Sequence, residues 1–170
     1  MSEFVLSQLI AAAALSCGIL TFQLKKKIHI LLKFTAMSSL LLLHFYVLGH
    51  YAACAIVAVS VVRFLTSAMT RSPLAMYLFL AITIAVGWFT YSAPVNVLAI
   101  LAGLLGVVGT FQSDDKRLRK VMLSSSTAIE FHDFLVWTPV GFLVDLTVGA
   151  SNIIGYYRYY ISDSAAEREV

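Results

Sequence analysis

Residues 3–27, EFVLSQLIAAAALSCGILTFQLKKK, form an apolar stretch that is closed by three lysines. An α-helix rises about 1.5 Å per residue, so this stretch is long enough to cross a hydrocarbon core of about 30 Å. A secretory signal carries its positive charge before the apolar region, whereas Lys25, Lys26 and Lys27 follow it here. The sequence therefore predicts a transmembrane helix that is retained in the protein.

The rest of the chain has the same character. Its 170 residues are 60% hydrophobic and 12% charged, with a mean hydropathy of +0.88, which excludes a water-soluble globular domain. Apolar spans are predicted at 3–24, 28–48, 51–70, 73–91, 95–112, 119–137 and 139–160. The predicted fold class is an all-α integral membrane protein with seven transmembrane helices. A count of six is the alternative, because only the break near Pro139 separates the last two spans.

Positive charge indicates how the chain is oriented. All 12 lysines and arginines lie at or near the connectors of one side, and the connectors around Gly49, Pro94 and Thr138 contain none. Because basic residues collect on the cytoplasmic side, the N-terminus is predicted outside and the C-terminus in the cytoplasm of a bacterial inner membrane. The net charge of +3 comes from these connectors, so the lipid bilayer is the expected partner and a nucleic-acid partner is not.

The first span is repeated in the fifth. Residues 9–27 match residues 98–116 at seven of 19 positions, including Thr-Phe-Gln at 21–23 and at 110–112. With one gap the match extends into the following helices, where it pairs Ser38 with Ser126, His44 with His132 and, more weakly, Ser60 with Asn152. An offset that skips four helices preserves orientation. The sequence thus predicts parallel three-helix repeats at 1–70 and 95–161, a linker helix at 71–94 and a short cytoplasmic tail at 162–170.

Several of these motifs carry a family resemblance. Thr21-Phe22-Gln23, the segment 44–49, His132-Asp133-Phe134 and Asn152-Ile153-Ile154 resemble the YgjV-type family of small bacterial inner-membrane proteins, which implies an inner-membrane location and this helix plan. The three-helix repeat is also distantly similar to the SWEET and PQ-loop transporters, in which Pro-Gln ends the first helix of each repeat. Here Phe-Gln stands at both places, so the hinge proline is absent. An asparagine on the third helix of each SWEET repeat faces the substrate, and the resemblance implies that role for Asn152 and Ser60.

Polar and ionisable residues inside apolar spans are the candidates for function. On the sixth span Ser126, Glu130, Asp133 and Trp137 share one helical stripe, as do Asp145, Gly149, Asn152 and Tyr156 on the seventh, and the two stripes are predicted to line one polar interior. The predicted substrate-binding residues are Asn152, Ser60, Glu130, Asp145, Ser126, His44 and His132. A structural role is the alternative: Asp133 and Asp145 as a solvated interfacial pair or cap, and the histidines as hydrogen-bonding partners of neighbouring helices.

The sequence lacks the motifs of catalysis and of metal binding. It contains no phosphate-binding glycine loop, nucleophile elbow or Cys/His ligand series, so no enzyme activity, cofactor or metal site is predicted. Cys17 and Cys54 lie in different spans, predicted near opposite membrane faces, which argues against a disulfide. The predicted function is a facilitator or transporter for a small polar, sugar-like solute at the repeat interface. The alternative functions are a non-transporting accessory or assembly component and an intramembrane enzyme that acts through Glu130 and His132. A homo-oligomer is also compatible with the sequence.

Overall fold

The computed structural model describes residues 3–137 and 139–162, and these residues are helical with short connectors. The helices are α1 (Glu3–Thr21), α2 (Lys27–Val47), α3 (Tyr51–Met69), α4 (Pro73–Thr90), α5 (Asn96–Thr110), α6 (Asp115–Leu135) and α7 (Pro139–Tyr157), and a π-helical turn follows at Arg158–Ser162. Seven helices within the described residues confirm the predicted all-α class and show that the six-helix alternative was wrong. The predicted tail lies outside the described residues, apart from Ser162.

Helix length and composition vary. Within the described residues, α1, α2 and α4 are each long and apolar enough to cross a membrane. Helix α5 has only 15 residues, about 22 Å at 1.5 Å per residue. Helix α6 begins at Asp115, earlier than the predicted 119, because the side chain of Asp114 caps it: a carboxylate oxygen accepts the backbone N–H of Arg117 at 2.9 Å. The charged segment that the sequence assigned to a connector is thus the first turn of this helix.

The chain divides into two compact units, and the first extends through Met69. Within it α2 packs against both α1 and α3. Aromatic rings hold the three helices together: the ring of Phe34 on α2 meets Phe22 edge-on at 5.4 Å and stacks on Phe64 of α3 at 5.0 Å. All three rings are buried, and such pairs add about 0.5 to 1.5 kcal/mol each beyond their burial.

The second unit begins at Thr70 and contains α4 to α7. Here α6 packs against both α5 and α7, and α4 packs against α5. Helices α4 and α5 approach closely at glycines: a Cβ atom on Gly87 would lie 2.7 Å from Cγ1 of Ile100, and one on Gly103 would lie 3.0 Å from Cγ2 of Thr83. In lipid, close approach at small residues supplies the packing that holds helices together.

Corresponding helices of the two units have matching ends. Helices α2 and α6 have 21 residues each and start 88 positions apart, and α3 and α7 have 19 residues each at the same separation. Both α2 and α6 are followed by a left-handed residue, Gly49 (φ 72°) and Trp137 (φ 58°). Helices α1 and α5 end at Thr21 and Thr110. After each of them a glutamine N–H donates to a carbonyl oxygen at 3.2 Å, from Gln23 to Leu20 and from Gln112 to Gly109.

The matching ends also change one predicted pair. When the two helices are aligned by their ends, at a separation of 88 residues, Phe64 of α3 is equivalent to Asn152 of α7. Ser60 is then equivalent to Val148. The sequence alignment that paired Ser60 with Asn152 therefore does not keep the register of the helix ends. The weak similarity between the third and seventh spans left that register undetermined.

Candidate functional site

The candidate site is a line of polar groups along the contact between α6 and α7. Its members, which we call the polar seam, are Ser126, Glu130 and Asp133 on α6 and Asp145, Gly149 and Asn152 on α7. Arg119 contacts Asn152, Glu130 contacts Gly149, and Asp133 interacts with Asp145, so the two helices run antiparallel. The structure thus brings together most of the two stripes that helical spacing predicted.

Asn152 is the most deeply buried member of the seam. Its side chain is fully buried, and its Nδ2 donates to the carbonyl oxygen of Arg119 at 2.9 Å. Because that neighbour is an acceptor, the amide nitrogen must face it, which fixes the orientation of the side chain. The Oδ1 atom then points elsewhere, and it is buried without a hydrogen-bond partner among the described residues. The side chain therefore keeps one unsatisfied acceptor, which is closed off from the surface in this structure.

Close approach of the helices shapes the middle of the seam. A Cβ atom on Gly149 would lie 2.5 Å from Oε1 of Glu130 and 3.8 Å from Cβ of Ser126. The absence of a side chain at Gly149 therefore lets the carboxylate of Glu130 reach the backbone of α7. A groove of about 320 Å³ opens beside it, lined by Glu130 and by apolar side chains of both helices, namely Phe131, Phe134, Phe142 and Leu146.

Acidic side chains of α6 and α7 influence one another at the far end of the seam. The carboxylate of Asp145 interacts electrostatically with those of Asp133 and Glu130. Asp133 is paired in turn with His132, whose Nδ1 lies 3.0 Å from Oδ1, and both side chains are about 15% exposed. The pair is an ion pair when the imidazole is protonated and a hydrogen bond when it is neutral. This end of the seam therefore brings an imidazole and carboxylates together.

Basic and aromatic side chains form the opposite end, and here sequence reasoning missed a residue. Arg119 is fully buried, and its guanidinium carbon lies 5.5 Å from the centre of the Tyr159 ring. Lys116 and Lys120 lie over Tyr160 and Tyr156 at 5.7 and 6.0 Å. In the sequence Arg119 counted only as one of the basic residues that indicate orientation. The signal that could have found it is its repeat position, which is occupied by the buried Leu31 in the first unit.

The remaining predicted residues lie elsewhere. His44 and Ser60 belong to the first unit, on α2 and α3, and the Nδ1 atom of His44 lies 2.8 Å from the carbonyl oxygen of Ser7 on α1. The side chain of Trp137 is 76% exposed. In the part of the chain that the structure describes, no three His, Cys, Asp or Glu residues are grouped so that they could hold a metal ion.

Comparison with known proteins identifies a family for the chain, but it finds no solved structure that resembles it. The family model Imp-YgjV, described as a bacterial inner membrane protein, matches residues 5–163. The chain is also similar to the inner membrane protein YgjV of Escherichia coli strain K12: the two are 26% identical over 161 residues, which cover 93% of this chain and 88% of that protein. No solved structure matches the chain.

Proposed function

Because the chain belongs to the Imp-YgjV family of bacterial inner membrane proteins, we propose that its polar seam lines a pathway for a small polar, sugar-like solute. On this proposal the protein is a facilitator or transporter and not an enzyme. Asn152 is the principal solute contact, and Ser126, Glu130 and Asp145 are the polar and proton-accepting lining. His132 is paired with Asp133 on the seam, and the predicted substrate contacts His44 and Ser60 belong to the first unit.

The observation that carries the proposal is the unpartnered Oδ1 atom of Asn152. A buried acceptor without a hydrogen bond costs about 1 to 3 kcal/mol, and native proteins have few such groups. A hydroxyl or amino group of a solute would donate to this oxygen while Nδ2 keeps its bond to Arg119. An amide in this position selects for solutes that carry donors.

The position of the acidic residues supports a pathway along the seam. Asp145 and Asn152 are seven positions apart on α7, which corresponds to about 10 Å along the helix axis. Ionisable residues inside membrane spans are costly and commonly mark substrate or proton pathways. The side chain of Glu130 lies against Gly149, which is between Asp145 and Asn152 on α7. A solute or proton moving along the seam would therefore meet a polar group at each level.

The proposal extends to the arrangement of the chain. Two parallel three-helix repeats at 1–70 and 95–161, joined by a linker helix at 71–94, are supported by the matching ends of α2 and α6 and of α3 and α7. Transporters built from parallel repeats bind their substrates near the midplane at the repeat interface. With an odd number of spans and the basic residues inside, the N-terminus is outside and the C-terminus cytoplasmic.

Solute uptake into proteoliposomes tests the proposal. Purified protein is reconstituted and offered radiolabelled sugars, nucleosides and amino acids, with protein-free liposomes as background. We expect uptake of at least one class, lost in Asn152→Ala and reduced in Glu130→Gln. Thr127→Ala is the matched control, because that exposed hydroxyl on α6 bonds only the carbonyl of Leu123 in its own helix. Failure of every class to enter would contradict the proposal.

A non-transporting accessory component is the second candidate, and two hydrogen bonds between helices favour it. Ser125 on α6 donates to the carbonyl of Ala102 on α5 at 2.7 Å, and His44 contacts Ser7 in the first unit. Polar groups used in this way hold a helix bundle together without any solute. On this reading Asn152→Ala and Glu130→Gln change stability alone, and a stoichiometric membrane partner co-purifies with the wild type.

A further inference from the structure

A second cavity lies at one end of the first unit. It has a volume of about 740 Å³ and is formed where α1 begins, α2 ends and α3 begins. Ligand sites in proteins commonly have volumes of about 300 to 1,000 Å³. The basic residues of the chain lie near the other end of these helices, so this end faces outward in the predicted topology.

The chemistry of the lining is specific. Among the described residues that line the cavity, Glu3 is the only one with a formal charge. Three aromatic side chains accompany it, Phe4, Tyr46 and Tyr51, and each is more than 60% exposed. The Tyr46 and Tyr51 rings meet edge-on, with centres 6.2 Å apart and planes inclined at 71°. A carboxylate and aromatic rings that line the same cavity can attract a cation by charge and by the ring quadrupoles.

The frame of the cavity is tied together one turn below it. His44 Nδ1 lies 2.8 Å from the carbonyl oxygen of Ser7, which joins α1 to α2. On the other side the thiol of Cys54 approaches the carbonyl of Leu42 at 3.7 Å, which joins α3 to α2. The aromatic and acidic residues therefore project from three helices whose spacing is fixed.

Gly49 keeps the cavity open. It lines the cavity in the left-handed turn after α2, and no atom lies within 4 Å of the place where its Cβ would be. The corresponding turn of the second unit carries Trp137 with the same backbone sign. A turn with this backbone conformation can therefore carry a tryptophan. At the position that the Trp137 side chain has in the second unit, the first unit has only Gly49 and no side chain.

From this geometry we propose that the cavity between Glu3, Tyr46 and Tyr51 is a binding site for a small organic monocation of the quaternary-ammonium or alkylammonium class. The bilayer and the external solution can both supply this chemistry, as an ethanolamine headgroup or as a free amine. The inference does not depend on a pathway along the polar seam.

Calorimetric titration tests the site, using the full-length protein in a maltoside detergent, choline as the probe and dimethylbutanol as its uncharged isostere. We expect saturable binding of choline alone. Glu3→Gln should weaken it by about tenfold and Tyr46→Leu by about fivefold. Tyr77→Leu, an equally exposed tyrosine on α4, is the matched control and should bind as the wild type does. Gly49→Trp should abolish binding, whereas Gly49→Ala, which carries the same left-handed backbone strain without the indole, should still bind choline.

Binding in nanodiscs of defined lipid composition distinguishes a lipid headgroup from a soluble amine as the occupant of the cavity. If choline binds in discs of phosphatidylglycerol and is displaced when phosphatidylethanolamine is added, the headgroup amine is an occupant; if binding is equal in both, the site takes soluble cations. Either result supports the cation site. Equal binding of choline and its isostere, unchanged binding in Glu3→Gln, or the absence of saturable binding in every medium would overturn it.

Discussion

Gly49 and Trp137 show how one backbone conformation can be used in two ways. Both residues have positive φ angles directly after helices of equal length. The left-handed conformation costs glycine little and other L-residues about 1 to 2 kcal/mol. Since no atom crowds the Cβ position of Gly49, a substitution there would measure this backbone cost alone.

We expect Gly49→Ala to lower the free energy of unfolding by about 1 kcal/mol and Gly49→Asn by less than half as much, because asparagine tolerates the left-handed region. The measurement is denaturation of the purified protein in mixed micelles, followed by circular dichroism. Equal stability of Gly49→Ala and the wild type would contradict the assigned turn.

Individual residues of the polar seam were predictable to different degrees. Glu130 and Asn152 were recognisable as candidates because they lie in apolar spans, where a polar side chain is costly and is usually kept for a function. Arg119 did not stand out, because it belongs to a cluster of basic residues that the positive-inside rule already explained. It lies in the second turn of α6, which begins at Asp115 after the Asp114 cap.

At the level of elements, the start of α6 differs from the start of its counterpart α2. Asp114 accepts a backbone N–H, whereas Lys26 before α2 makes no side-chain cap. We expect Asp114→Ala to lower stability by about 1 kcal/mol and Asp114→Asn to have a smaller effect, because asparagine also caps. Hydrogen exchange in the first turn of α6 should accelerate in the alanine variant. An unchanged exchange rate would argue against the cap.

The glycine contacts predict different costs at two helix crossings. A Cβ at Gly87 meets the branched side chain of Ile100, which cannot move away easily, whereas one at Gly149 meets the flexible end of Glu130. We therefore expect Gly87→Ala to lower stability by about 1 to 3 kcal/mol and Gly149→Ala by less. In a Glu130→Ala background the cost of Gly149→Ala should disappear; an equal cost in both backgrounds would show that the two residues do not touch.

The sequence predicted the elements themselves better than their ends. Span lengths and connector prolines were enough for seven helices, because a bilayer demands apolar stretches of a minimum length. The alignment of α3 with α7 as equivalent helices was not predictable from the sequence. Apolar residues in the two helices match by composition, and only Ser60 was available to pair with Asn152. Helix ends, which depend on local hydrogen bonds, supplied that alignment.

The orientation of the whole molecule can be tested with fusions at its two predicted sides. With seven predicted spans and all 12 basic residues at or near the connectors of one side, a fluorescent protein fused after Val170 should fluoresce, and alkaline phosphatase at the same place should be inactive. A fusion inserted at Gly49 should give the opposite result. An active phosphatase at the C-terminus would reverse the topology.

The central claim is that a small polar solute binds at Asn152, and thermal stability tests it most directly. The wild type, Asn152→Ala and Thr127→Ala are melted in detergent against a few hundred sugars, nucleosides and amino acids. A ligand at 100 times its Kd stabilises the folded state by about 2.7 kcal/mol, which raises Tm. We predict that one class of solute raises the Tm of the wild type and of Thr127→Ala but not of Asn152→Ala. An equal rise in Asn152→Ala, or no rise with any solute, would contradict the claim.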